Sequence, residues 1–317
     1  MAPGLTDIDG IKVGVVSDRD AATGITVVMI EEGARAAVEV RGSAPGTRET
    51  DLLKPGRLVE EIQALVLAGG SAFGLDAVSG AMKYLEEKGC GFQVDRFRIP
   101  IVPAAVLFDL LIGDGCIRPD EKMGYAACAN ASTGPVPEGS VGAGCGATVG
   151  KLRGMSGAIK SGQGSSAVCN DKLIVAALVV VNAFGDVFDQ KSCLLAGPRN
   201  PITGEMEKTA ELLLGNGNSG ASGNTTLGIV AVNAELDRPA LQKICQMAHN
   251  GLARSIWPVH TMWDGDTIFA LSRGNMKADV NVVGLMAAEA VSRAVERAIT
   301  TADSLCGVPA VNDLKQL

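Results

Sequence analysis

The sequence predicts an α+β protein, a layered sandwich of sheets and helices. Strand-like and helix-like segments alternate along the chain, and many of the strands come in hairpins. Neither an internal repeat nor a linker divides the 317 residues. Hairpins favour this architecture over a doubly wound parallel sheet, whose strands need crossover helices. A chain of this length can bury an ample core as one large domain or two ordinary ones. Without a linker, the expectation is a single domain over 1–317.

Taken in order, residues 11–16, 24–30 and 34–40 read as short strands separated by turns. Residues 66–74, VLAGGSAFG, pass from strand to helix through a glycine turn. Leu75, Val78, Met82 and Leu85 then recur at steps of three and four, one face of a helix. Its first turn, at Gly70 and Ser71, is expected to offer free backbone N–H groups for an anion or a carbonyl. Residues 139–151 are a second glycine-rich loop, closing on Lys151. The β-branched run 173–182 is a buried strand ending at Asn182, with a turn at Gly185-Asp186. Residues 196–224 form a long polar connection, and Gly, Ser and Asn dominate its last part, 214–224. An apolar strand follows at 225–233. Asp237-Arg238-Pro239 is a helix start, a cap residue followed by proline, and Leu241, Ile244, Cys245, Ala248 and Leu252 give that helix its apolar face. Residues 267–271 read as a strand and 279–301 as a long helix.

Hydrophobic residues make up 47% and charged residues 20%, the balance of a globular protein. A net charge of −7 with no basic cluster excludes nucleic acid as the main partner. No apolar stretch approaches the ~20 residues needed to span a bilayer. The eight cysteines form no CxxC pair, and the start MAPGLTDID has no signal-peptide pattern. Free thiols in a reducing cytoplasm are therefore expected.

Familiar nucleotide and hydrolase motifs fail on inspection. Residues 142–147 fit GxGxxA, but no apolar strand precedes them. A P-loop would need glycine at Cys145 and Ser or Thr at Leu152, and Phe73 spoils a GxSxG elbow at Ser71. Lys151 is either a solvated lysine or an ammonium aimed into a cleft. Asn182, a polar end to an apolar strand, is either a turn residue or an oxyanion donor. In HTMWDGD (260–266), Asp264 and Asp266 stand beside His260. They suit a divalent cation, a pair holding an amine and a hydroxyl, or a plain turn. With two histidines in the chain, a His-rich zinc site is excluded.

The junction Asn224-Thr225 joins the Gly-, Ser- and Asn-rich run to an apolar strand. A hydroxyl there can attack the preceding carbonyl and become a new amino terminus. Its freed α-amine, titrating near ~7.7–8.0, then serves as the base. The competing reading is a surface loop entering an ordinary strand.

Taken together, Thr225, Lys151, Asn182, Asp264 and Asp266 resemble the self-processing L-aminopeptidase/D-esterase family of N-terminal-nucleophile-like hydrolases. The nylon-oligomer branch, the 6-aminohexanoate-oligomer endohydrolases, is the closest match. The resemblance runs through LTDIDGIKVG (5–14), LAGGSAFGLD (67–76), GAGCGATVGK (142–151), GNTT (223–226) and HTMWDGDT (260–267). It implies a four-layer αββα sandwich and cleavage between Asn224 and Thr225 into 1–224 and 225–317. Thr225 would be the nucleophile. Lys151 and Asn182 would orient it and stabilise the reacting oxygen, and Asp264 and Asp266 would support nucleophile and amine. Phe108, before Asp109, stands where the nylon-hydrolase branch carries a tyrosine near the substrate. The family implies a homo-oligomer, often a tetramer, and no metal or organic cofactor. The expected substrate is a small linear amide or oligomer. A short α- or β-peptide is the alternative, and a non-enzymatic metal-dependent binding module is the reading from outside the class.

Overall fold

The computed structural model describes residues 4–216 and 223–314. Strands β1 (Lys12–Asp18) and β2 (Thr23–Val40) form an antiparallel hairpin, followed by β3 (Gly46–Arg48), β4 (Glu61–Ala68) and helix α1 (Ala77–Glu87). The hairpin β5 (Phe92–Val94) and β6 (Phe97–Ile99) stands apart, while β7 (Ala104–Val106) lies parallel to β4 and α2 (Glu121–Ala129) follows. Two short strands, β8 (Thr148–Val149) and β9 (Ile159–Lys160), bracket the turn at Lys151. Next come the hairpins β10 (Gln163–Asn170) with β11 (Leu173–Asn182), and β12 (Asp186–Phe188) with β13 (Leu194–Ala196), then α3 (Thr209–Asn216). The last stretch holds β14 (Thr225–Ala234), α4 (Arg238–Ser255), β15 (Ile256–Trp257), β16 (Thr267–Met276), α5 (Val280–Thr300) and α6 (Val311–Leu314).

The main sheet runs β10-β11-β14-β16-β2-β4-β7-β3, with β1 added on β2. Alternation along each strand sorts its residues into three cores. In β11, Val175, Val179 and Val181 pack under α4 and α5, while Ala176, Leu178 and Val180 face the other way. In β4, Leu65 and Leu67 join that same inner core, while Ala64, Val66 and Ala68 meet α1 and α2. Strand β2 belongs to both halves. Its Ile25, Val27 and Met29 lie against α1 and α2, its Ala37 belongs to the α4–α5 core, and Val28, Ile30, Ala34 and Ala36 fill the interior between. One sheet therefore folds over itself along β2, giving helices, sheet, sheet, helices: the αββα layering. Each fully buried Leu, Ile or Val contributes roughly 1.5–3 kcal/mol.

Helix starts follow their sequence signals. The Asp237 side chain accepts from Ala240 N–H with Pro239 in the first turn, and Asp279 caps α5 through Asn281 and Val282. The two strands expected at 24–30 and 34–40 are one. The register against β4 shifts between Met29 and Ala34, around Gly33 at φ 86°, and the ladder continues past this bulge. The glycine turn leads into a 3-10 turn at Ser71–Asp76 before α1 begins. The polar connection 196–224 contains α3, and its residues 217–222 lie outside those described. Among the described residues no helix is long and apolar enough to cross a membrane, and all eight cysteines are free.

Candidate active site

Strand β14 pairs with β11 so that Thr225 lies opposite Asn182. Period-two alternation sends both side chains to the face carrying Leu227, Ile229, Leu178 and Val180, at the end of the core between the sheets. Thr225 is buried, and its Oγ1 donates to the Asn224 carbonyl oxygen at 2.5 Å. The same oxygen accepts from Gly265 N–H at 2.9 Å, within the 2.7–3.1 Å expected of an oxyanion donor. Asn224 N–H reaches the Trp263 carbonyl at 3.3 Å, so the residue before Thr225 is held like a short strand beside Asp264. Glycine is required at 265, because a β-carbon there would sit 2.7 Å from Thr225 Oγ1. In the sequence Gly265 stands only as the middle of a possible turn.

Lys151 follows Gly150, whose φ of 69° turns the chain inward. Its Nζ is buried and donates to Thr148 O at 2.9 Å, Asn182 O at 3.2 Å and Asn182 Oδ1 at 2.8 Å. Burial pulls its pKa down to about 7, with Asp264 and Asp109 opposing. Asn182 Oδ1 also accepts from Thr148 N–H at 3.0 Å. Its Nδ2 donates to Phe108 O at 3.0 Å and Gly223 O at 3.2 Å. Of the two readings open for each residue, the structure gives Lys151 the buried one. It gives Asn182 amide donors aimed at the carbonyl one residue before the Asn224 carbonyl.

The two aspartates divide their work. Asp264 accepts from Thr261 N–H at 2.9 Å, Thr261 Oγ1 at 2.5 Å and Phe184 N–H at 3.3 Å. Burial first, and then Asp266, hold its carboxyl above the usual carboxylate range. Asp266 Oδ1 accepts from Thr226 N–H at 2.6 Å, and Oδ2 from His260. Among the described residues, no group of three or more His, Cys, Asp or Glu is arranged to hold a metal ion.

The Phe108 ring packs on Gly223, where an added β-carbon would meet it at 2.5 Å. Phe108, Lys151, Met155, Leu111 and Gly223 line a cleft holding about 10 Å³, barely the space of one water. Asp109, beside Phe108, is buried and accepts from Gly70 N–H at 2.7 Å and Thr23 Oγ1 at 2.8 Å. This corrects the expectation for Gly70 and Ser71. Gly70 N–H is bonded to Asp109 and Ser71 N–H to Leu107 O at 2.9 Å, because the left-handed pair at φ 79° and 54° folds both groups back onto the loop after β7. Neither is left free for an anion or a carbonyl.

The model of peptidase family S58 matches residues 4–311. An uncharacterized aminopeptidase of Mycobacterium tuberculosis (strain ATCC 25618 / H37Rv) is 40% identical over 341 residues, covering 98% of this chain and 97% of that protein. The 6-aminohexanoate-oligomer endohydrolase of Kocuria sp. (strain KY2) is 31% identical over 313 residues, covering 91% and 84%. Among solved structures, the L-aminopeptidase D-Ala-esterase/amidase of Ochrobactrum anthropi superposes with a TM-score of 0.71. It is 19% identical, covering 96% of this chain and 88% of that one. It is described as a variant of the Ntn hydrolase fold, which agrees with the layering found here.

Proposed function

Because this chain belongs to peptidase family S58, and so to hydrolases of peptide and amide bonds, we propose that it is a self-processing amidohydrolase with Thr225 as an N-terminal nucleophile. The observation that carries this reading is the Thr225 hydroxyl lying on the Asn224 carbonyl while Gly265 N–H holds the same oxygen. In the first step Thr225 Oγ1 attacks the Asn224 carbonyl carbon and Gly265 N–H stabilises the oxyanion. The C–N bond then breaks, the nitrogen takes a proton and becomes the Thr225 amine, and an ester remains on Oγ1. Water hydrolyses that ester, leaving 1–224 and 225–317 as the two pieces of one hydrolase domain.

Before the cut, the Thr225 nitrogen is an amide and cannot act as a base. Lys151 Nζ donates to Thr148 O and to both oxygens of Asn182, the residue paired with Thr225, so it suits holding that strand end in place. The proton acceptor for the hydroxyl is the departing Thr225 nitrogen, once the Asn224 carbonyl carbon has become tetrahedral. After the cut, the Thr225 amine takes that role, and Oγ1 forms an acyl-enzyme with an amide substrate. Asn182 holds the chain before the scissile carbonyl, Asp266 holds the peptide after the nucleophile through Thr226 N–H, and Asp264 fixes the turn from Thr261 that leads to Gly265.

What Gly223 meets supports one class of substrate. An acyl chain lying along the path of Gly223 and Asn224 reaches the Phe108 ring at Gly223 Cα, where a methylene fits and a branch collides. This supports linear ω-amino amides such as 6-aminohexanoate oligomers, and a relative acting on such oligomers adds to it. The 40% identical relative supports the second reading, an aminopeptidase on short peptides. The same proposal includes a cytoplasmic homo-oligomer, a tetramer, which sedimentation tests.

Intact mass tests the core of the reading. Wild-type protein is expected as two pieces, the smaller beginning at Thr225, and Thr225→Ala as one folded, inactive chain. A Thr225→Ala protein that still cuts after Asn224 removes Thr225 as nucleophile. Rates of the cut enzyme on aminohexanoate oligomers, β-peptides and dipeptide amides decide between the substrates.

A further inference from the structure

His260 has no task in the chemistry above, yet it keeps a left-handed backbone, φ 58°, that residues with a β-carbon rarely adopt. Such a conformation persists where its surroundings hold it. Here the holder is Asp266. His260 N–H and Nδ1 converge on Asp266 Oδ2 at 3.1 and 2.8 Å. Since Oδ2 accepts the backbone N–H, the ring nitrogen facing it carries the proton, which fixes the Nδ1–H tautomer. The other oxygen, Oδ1, accepts Thr226 N–H at 2.6 Å. That N–H belongs to the peptide joining Thr225 to Thr226. His260 is therefore two hydrogen bonds from the peptide that carries the nucleophile.

Burial keeps water from replacing the ring. The side chains of His260 and Asp266 are 16% and 1% exposed. His260 Nε2 is buried without a hydrogen-bond partner among the described residues. The ring lies edge to face with His249 at 4.8 Å between centroids. His249 meets the Glu39 carbonyl through Nε2, and burial pushes its pKa down to about 3, so it stays a neutral wall.

We propose that His260 is a positioning residue for the Thr225 chemistry: its Nδ1–H locks the Asp266 carboxyl, which in turn fixes the peptide after the nucleophile. This inference rests on the Thr225 reading. Without the ring, the carboxyl can turn about its Cβ–Cγ bond. Oδ1 then leaves Thr226 N–H, and the Thr225 hydroxyl drifts from the Asn224 carbonyl.

Three substitutions separate positioning from packing. His260→Asn keeps an amide N–H where Nδ1–H stood, His260→Gln places one farther out, and His260→Phe keeps the ring without a donor. Appearance of the piece starting at Thr225 is followed by intact mass. His260→Asn is expected within about threefold of the wild-type rate, and Gln and Phe at least about tenfold slower. In cut enzyme the Gln and Phe losses should fall on kcat, with KM within about threefold. Equal slowing by Asn and Gln, or a Phe variant as fast as wild type, overturns the proposal.

A second measurement needs no His260 variant. Ring nitrogen-15 spectra of the uncut Thr225→Ala protein, with two histidines to resolve, should show Nδ1–H for His260 and Nε2–H for His249. An Nε2–H tautomer at His260 also overturns it. If Thr225→Ala itself cuts, the nucleophile reading fails. If it stays whole while Asn and Gln behave alike, the positioning role alone fails.

Discussion

A β-carbon added to Gly265 would lie 2.7 Å from Thr225 Oγ1 and 2.8 Å from the Ala44 carbonyl, while the adjoining N–H holds the Asn224 oxygen. Gly265→Ala should therefore displace hydroxyl and donor together. Loss of one oxyanion donor commonly slows a step by roughly 10²–10³-fold. Processing of Gly265→Ala is expected to slow by about 100-fold or more, read from a time course of intact mass; processing at the wild-type rate would deny Gly265 that part. Thr225, Asn182, Lys151, Asp264 and Asp266 stand out in the sequence as side chains with suitable chemistry, and the fold sets Thr225 opposite Asn182, Lys151 on Asn182 and Asp266 on Thr226 N–H. Gly265 was not legible, because it acts through a backbone N–H and through the side chain it lacks. Gly70 and Ser71 were over-read for the converse reason. Their N–H groups look free in a sequence, and only the fold shows that Asp109 and Leu107 accept them.

Helix α3 precedes the proposed cleavage site in the chain and is tied at its start by a residue far away in sequence. Asp186 in β12 accepts from Thr209 N–H at 3.0 Å and from Thr209 Oγ1 at 2.6 Å. Asp186→Ala removes that cap and should lower the stability of the uncut Thr225→Ala protein by about 1–2 kcal/mol. Denaturant melts of the two proteins check this; coincident curves would deny the cap a role. The sequence read Asp186 only as a turn, since capping across distant segments leaves no local spacing to find. Strand β11 was legible because its apolar run is unbroken from Leu173 to Val181, and α4 and α5 because Asp237 and Asp279 mark their starts. The single length of β2 was hidden by Gly33, which looks like a break and is a bulge. The parallel pairing of β14 with β16 was hidden too, since it is a non-local choice of partners.

At the scale of the whole molecule, two buried ammonium groups govern how stability follows pH. Burial pulls Lys151 and Lys160 to about 7, against 10.5 for an ordinary lysine. Between those values the unfolded chain binds protons that the native state does not, so stability rises with pH above about 7. Buried thiols act the other way above 9.0, since burial pushes Cys128 up to about 12 and Cys145 to about 11. The melting temperature of uncut Thr225→Ala protein should climb from pH 7 to about 9 and then bend over. Lys151→Met should remove about half of the climb; no climb in the parent would mean that both groups stay charged in the fold. The sheet order has a consequence of another kind. Strands β14 and β16 lie between β11 and β2, so a cut after Asn224 puts the middle of the sheet in one piece and both flanks in the other. A molecule assembled by a first-order process would then have to be rebuilt by a second-order one, from partners whose exposed strand edges invite aggregation. Removing denaturant by dilution should restore the uncut Thr225→Ala protein at any concentration. The same dilution should recover less and less cut enzyme as the protein is made more dilute, which would place the proposed processing after folding rather than before it.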